Sequence, residues 1–233
     1  MVRRNSIVLF VATALVLQLA LLFIALQTEF GCSLSGLCSS SAASPTVSAH
    51  TVVEILYETH CPDSQFIMRD GVNKSLALLP DVKFVLVPYG KAITRGEGKS
   101  LSFSCQHGIK ECEGNTFHAC AIELHKNELE VLKFAICTMS YRQSVLDHVG
   151  GCAKDNGIDS DALHICATGQ QGKELLAKMG RLTQEAAKKI NNGTRLDFVP
   201  STLIDGVPHV IDAYNDLYKT ICKFAKEKPS KCL

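Results

Sequence analysis

The residues with the clearest chemical potential are Cys61-Pro62-Asp63-Ser64, which follow the apolar, β-branched run Val52 to Tyr57 and open a helical stripe. A cysteine at the turn from a buried strand into a helix has a physical reason to react. Unpaired backbone N–H groups and the positive end of the helix dipole favour the thiolate, and the thiolate is the nucleophile of disulfide exchange. Pro62 suits the first helical turn, where a missing N–H costs nothing. Ser64 stands where a second cysteine, three residues on, would resolve a mixed disulfide. Its hydroxyl can hydrogen-bond the Cys61 sulfur but cannot form that internal bond. Asp63 works the other way, since a nearby carboxylate raises a thiol pKa. His60, protonated in acid, favours the thiolate if its ring faces the sulfur. At an unperturbed pKa of about 8.5, only about one thiol in a few thousand is ionised near pH 5.

The chain has 233 residues and eleven cysteines, a count ordinary for an oxidised, exported protein. Setting Cys61 aside leaves Cys32 and Cys38 near the N-terminus, and Cys105, Cys112, Cys120, Cys137, Cys152, Cys166, Cys222 and Cys232 as structural disulfide candidates. All of these can pair and leave Cys61 free, but eight cysteines allow 105 connectivities, so none is assigned. A structural or intermolecular bond to Cys61 is the alternative.

Arg3 and Arg4 precede the apolar segment Ile7 to Leu26, so residues 1–27 read as a signal peptide or a signal-anchor. Residues 28–50, rich in Ser, Ala and Gly, read as a linker or propeptide. Either reading places the remainder in the secretory pathway. Asn73-Lys74-Ser75 and Asn192-Gly193-Thr194 are glycosylation patterns that fit such a route. A net charge of +1 gives no support for a nucleic-acid partner, and a membrane is a partner only if the N-terminal segment remains as an anchor.

The elements that must position Cys61 follow from periodicity. Met68, Val72, Leu76 and Leu79 form one helical stripe stopped by Pro80, and Val82 to Val87 reads as a buried parallel strand. Residues 52–87 are therefore β-α-β. Later, Phe198 to Leu203 is strand-like, Asp205-Gly206 marks a tight turn, and Val207 to Ile211 reads as a returning strand. Asp212 is placed as a helix N-cap ahead of the stripe Ala213, Leu217, Ile221 and Phe224. A β-α-β unit followed by β-β-α makes an α/β, thioredoxin-like core. Between the halves, at about residues 91–190, lies a disulfide-rich helical insertion with helical patterns at Leu129–Tyr141 and Gly172–Ile190.

Residues 105–120 read CQHGIKECEGNTFHAC. This resembles the signature C-Q-H-G-x-x-E-C-x-x-N-x-x-x-x-C of the gamma-interferon-inducible lysosomal thiol reductase (GILT) family, with every fixed position matched. The resemblance runs over roughly residues 51–225, within a domain drawn at 51–228. It implies a thioredoxin-like fold with a helical insertion and reduction of protein disulfides in endosomes or lysosomes. It also implies a Cys-x-x-Cys site, in which Cys61 matches the attacking cysteine and Ser64 replaces the resolving one. Gln106, His107, Gly108, Glu111 and Asn115 are read as turn-makers and hydrogen-bond partners around cystines. A zinc site built from Cys105, Cys112, Cys120, His107 and His118 is disfavoured by the spacings and by the oxidising compartment. Val199-Pro200, just ahead of Ser201 to Ile204, holds the place where such folds put a cis-proline facing the active cysteine, so both are expected to bind substrate.

The expected function is thiol–disulfide exchange at Cys61, in an endosomal, lysosomal or extracellular setting. The partners are disulfide-containing protein substrates and a small-molecule or protein thiol as reductant. No metal or organic cofactor is implied. A module that holds clients in long-lived mixed disulfides and a secreted structural domain are the competing readings.

Overall fold

The computed structural model describes residues 18–19 and 50–232, so the N-terminal segment, the linker and its two cysteines lie outside the described residues. Among the described residues, no helix is long and apolar enough to cross a membrane.

Strand β1 (Val52–Tyr57) lies at the centre of a four-stranded sheet. On one side it pairs in parallel with β2 (Lys83–Pro88), and on the other antiparallel with β5 (Ser201–Ile204). β5 then pairs with the two-residue β6 (Val207–Pro208). A central strand covered on both faces needs apolar side chains on both. Ile55, Leu56 and Tyr57 are accordingly all fully buried, each worth about 1.5–3 kcal/mol of burial. Val53, Ile55 and Tyr57 join one core cluster, and Leu56 joins the other.

The crossover from β1 to β2 begins with α1 (Pro62–Phe66), passes through a π-helical stretch at Ile67–Val72 and ends as α2 (Asn73–Leu78). The expected stripe faces the core: Met68, Val72 and Leu79 are fully buried. Between β2 and β5 comes the insertion. It holds a small hairpin, β3 (Ile93–Arg95) with β4 (Ser102–Ser104), that the sequence reading did not contain. Five helices follow: α3 (Ile109–Leu124), α4 (Glu128–Met139), α5 (Val149–Asp155), α6 (Ser160–Thr168) and α7 (Gln170–Asn191). Three cystines tie this region: Cys105–Cys112, Cys120–Cys166 and Cys137–Cys152. A fourth, Cys222–Cys232, closes the C-terminus.

Two local readings need correction. The strand after residue 198 starts at Ser201, because Pro200 has no N–H to give a ladder and the chain bends there. The returning strand is only Val207–Pro208; one further bond, from the His209 N–H to the Thr202 carbonyl at 2.9 Å, precedes the turn away from the sheet. Helix α8 (Val210–Asn215) then begins directly, with His209 rather than Asp212 at its N-cap. In this part of the chain the capping carboxylate is Asp216, which accepts the Lys219 N–H at the start of α9 (Leu217–Phe224). The Asp205-Gly206 turn is present, with both residues at positive φ as a tight two-residue hairpin requires.

A buried polar bridge joins the two halves. His118 on α3 lies 2.8 Å from the Tyr57 hydroxyl through Nδ1 and 2.8 Å from the Thr138 hydroxyl on α4 through Nε2. All three side chains are out of solvent, so each hydrogen bond replaces water that none of them can reach.

Candidate active site

Cys61 occupies the N-cap of α1 with extended backbone (φ −70°, ψ 123°), and Pro62 fills the first helical position. The Gln65 N–H bonds to the Cys61 carbonyl at 2.9 Å, the first turn of the helix. The thiol is 6% exposed and donates toward the Val199 carbonyl, 3.7 Å away. The peptide bond from Val199 to Pro200 is cis, as expected. Among the described residues Cys61 is the free cysteine.

Ser64 is fully buried, and its Oγ accepts the Glu58 N–H at 3.2 Å. Burial raises the Cys61 pKa. The N–H and hydroxyl of Ser64 and the N–H of Asp63 pull it back, and the Glu58 carboxylate adds to the rise. Desolvation therefore outweighs the helix N-terminus in the resting protein, a balance that periodicity cannot show.

Two neighbours behave differently from expectation. The Asp63 carboxylate turns away to accept the Tyr214 hydroxyl at 2.8 Å, and it is the Asp63 N–H that acts on the sulfur. His60 is buried with Nε2 unpartnered, and burial lowers its pKa. It is therefore not a ready source of positive charge for the thiolate.

The segment 105–115 forms the floor of this site. The Asn115 side-chain oxygen accepts the Thr59 N–H at 2.9 Å, and the Glu111 carbonyl accepts the Thr59 hydroxyl at 3.3 Å. Gly114 makes room for that contact: a Cβ there would lie 2.5 Å from Thr59 Oγ1. Gly108 enters α3 at φ +85°, a conformation that favours glycine. Glu111, fully buried, accepts the His107 N–H at 3.0 Å and lies 2.5 Å from His107 Nδ1. Gln65 completes the loop, donating to the carbonyls of Thr59 and Arg142 at 2.8 and 3.0 Å. Glu111 and Asn115 thus hold Thr59, two residues ahead of Cys61, as well as flanking a cystine.

Glu58 carries no mark in the sequence beyond being a carboxylate at the end of an apolar strand. It is fully buried. Its Oε1 accepts the Lys91 N–H at 2.6 Å, while Oε2 has no hydrogen-bond partner and lies 3.5 Å from His107 Nδ1. Burial raises its pKa to about 7, with the Glu111 charge adding to the rise. Glu58, Cys61 and His107 each bring one donor atom within 4.8 Å of the other two. A divalent cation accepts such donors. His107 Nδ1, which faces Glu58, is already taken by Glu111. Of the residues weighed for zinc, Cys105 and Cys112 bond each other, Cys120 bonds Cys166, and His118 sits between Tyr57 and Thr138.

The family model for gamma interferon inducible lysosomal thiol reductase (GILT) matches residues 52–156. GILT-like protein 2 of Drosophila melanogaster is 30% identical over 78% of this chain and 83% of its own length. The chain belongs to the GILT family. The mouse gamma-interferon-inducible lysosomal thiol reductase is 26% identical over 93% of this chain and 91% of its own. GILT-like protein C02D5.2 of Caenorhabditis elegans is longer; the chain spans 54% of it at 29% identity. Among solved structures, DsbA from Chlamydia trachomatis superposes with a TM-score of 0.51 at 10% identity, covering 73% of this chain and 86% of that one. MdbA from Actinomyces oris, a thiol-disulfide oxidoreductase, gives 0.51 at 12% identity over 77% and 84%. These likenesses establish the thioredoxin-like fold. Family membership makes this GILT chain a thiol–disulfide oxidoreductase.

Proposed function

We propose that this GILT protein reduces or exchanges disulfides in protein substrates of the secretory and endolysosomal pathway, with Cys61 as its one nucleophile and an external thiol to release it. The observation that carries the reading is the pairing pattern. Eight of the nine described cysteines are in cystines, and Cys61 stays free at a helix N-terminus beside a buried serine.

The Cys61 thiolate attacks one sulfur of a substrate disulfide. The S–S bond breaks, a Cys61–substrate disulfide forms, and the other substrate sulfur leaves as a thiolate that takes a proton. One external thiolate attacks Cys61 Sγ and frees the second substrate sulfur. A second external thiolate then restores Cys61. The net change is one substrate disulfide reduced and two small thiols oxidised to their disulfide.

Val199 and Pro200 serve as the substrate rest. The Val199 carbonyl faces the sulfur, where it can pair with an extended substrate chain. Tyr214, with Phe66 and Phe198 at ring-centroid distances of 5.7 and 5.5 Å, supplies an apolar rim beside it. Asn73 and Asn192 are both exposed, in keeping with glycans added on the export route.

The test is turnover of a disulfide-linked peptide by the purified protein with added glutathione. Wild type is expected to turn over and Cys61→Ser to be inactive; equal rates would sink the reading. A second reading, a covalent holder of clients, is favoured by the deep burial of Cys61. It predicts wild type without turnover and a Ser64→Cys variant that gains it.

A further inference from the structure

Cys61 shares the first turn of α1 with a second acidic group, Asp63. The N–H groups of Asp63 and Ser64 are the backbone donors that act on the sulfur, and a carboxylate in a first helical turn is drawn to the same kind of N–H. The structure gives that carboxylate another partner. It accepts the Tyr214 hydroxyl at 2.8 Å, and among the described residues no lysine or arginine pairs with it. Tyr214 lies on α8, which follows the β5–β6 hairpin, so its hold on Asp63 reaches across 151 residues of chain. The ring is fixed on two sides. Phe66, at the end of α1, lies 5.7 Å away between centroids, and Phe198, two residues before the cis-proline, lies 5.5 Å away and edge-on. Ala213 beside it is fully buried and anchors α8 in the core. The bond to Asp63, then burial, then the charges of Asp63 and Cys61 push the phenol above its usual range, so it remains a donor at neutral and acidic pH.

We propose that Tyr214 is a positioning residue for Cys61: its hydroxyl holds the Asp63 carboxylate and so leaves the N–H groups of the first turn to the sulfur. This rests on Cys61 being the working thiol. When the thiolate forms, the N–H groups of Asp63 and Ser64 and the Ser64 hydroxyl are the donors that receive it. A carboxylate released from Tyr214 would turn toward the same donors and set a second anion beside the sulfur, which opposes the thiolate. The titratable groups facing Cys61 are Glu58 from the end of β1, His107 from the entry to α3, Asp63 from α1 and Tyr214 from α8. The Glu58 charge already opposes the thiolate. Tyr214 takes the other nearby carboxylate out of that balance, and a neutral phenol does so without adding a charge of its own.

The test is the pH profile of Cys61 alkylation by iodoacetamide on the full chain, read from the mass of the Cys61 peptide. It follows the thiol without any turnover, so it can fail or succeed apart from the reductase assay. Tyr214→Phe keeps the ring against Phe66 and Phe198 and removes only the hydroxyl. Its midpoint should lie about one pH unit above wild type, and alkylation at pH 7 should be about tenfold slower, because a unit charge moves closer to the sulfur. Asp63→Asn removes the charge and keeps an acceptor for the phenol. With Tyr214 in place it should lower the midpoint by less than about half a unit, since the carboxylate is already held away. The double variant should titrate with Asp63→Asn, the rise abolished. A Tyr214→Phe midpoint equal to wild type overturns the proposal. So does a rise that persists in the double variant, which would mark a purely structural effect. A larger drop in Asp63→Asn alone also overturns it, because the carboxylate would then be acting on the sulfur with the phenol present. That last comparison leaves Tyr214 unchanged and decides the matter even if Tyr214→Phe does not fold.

Discussion

His118 makes the stability of the fold depend on acidity in a way that can be worked out. The ring is fully buried between Tyr57 and Thr138, and burial lowers its pKa to about 3. In the unfolded chain a histidine titrates near 6.5. Between those values the unfolded state binds a proton that the folded state refuses, so stability is lost as pH falls from about 6.5 toward 3. From pH 7 to pH 5 the loss is about 2 kcal/mol, at about 1.4 kcal/mol per pH unit below the unfolded pKa. Glu58 has the opposite sign: its folded pKa, about 7, exceeds the unfolded value, so the folded state gains a proton first and stability rises as pH falls through that range. The two offset each other in the wild type. The clean measurement is therefore a difference. Urea unfolding of wild type and His118→Gln at pH 7 and pH 5 should show the stability gap between them shrinking by about 2 kcal/mol at the lower pH. The variant will be less stable at neutral pH because two buried hydrogen bonds are disturbed, but that offset cancels from the comparison. A gap that is the same at both pH values would refute the reasoning.

Two further consequences concern the scaffold. Removing the Cys120–Cys166 cystine, which spans 46 residues between α3 and α6, should cost about 4 kcal/mol by loop-closure entropy. Removing Cys105–Cys112, which spans 7, should cost about 2 kcal/mol on the same relation; denaturant midpoints of the two double-alanine variants test the order. Gly90→Ala places a side chain at positive φ and against Glu58 Cγ. It should cost about 2 kcal/mol, read from the denaturant midpoint, whereas an unchanged midpoint would show that the contact is relaxed easily.

Much of this arrangement was legible in the residues. The β-branched run of β1, the stripe from Met68 to Leu79 and the Asp205-Gly206 turn each carry a strong local signal, and each stands where the pattern put it. Cys61 was legible because strand, cysteine and proline are adjacent in the chain. The weaker reading came where local and tertiary preferences compete. Val207 to Ile211 looks like a strand on propensity alone, yet the pairing ends with the His209–Thr202 bond and the chain turns into α8. Asp63 looked like a charge acting on the thiol until Tyr214, 151 residues away, was seen to take its carboxylate. Glu58 and His107 are 49 positions apart and meet only through the fold. No periodicity could pair them, although an acid just past the end of a mostly apolar strand is a signal that could have been followed.

The central claim, that Cys61 alone attacks a disulfide and needs a thiol from outside to be released, can be met with one measurement. The native protein is incubated with a disulfide-linked client peptide without reductant, quenched in acid and mapped by mass spectrometry, then treated with glutathione and mapped again. The account predicts one peptide bound per chain, at Cys61, with the four cystines intact, and its discharge on adding glutathione. Finding Cys61 bonded to another cysteine of the chain, or the peptide discharged fully before any thiol is added, would contradict it.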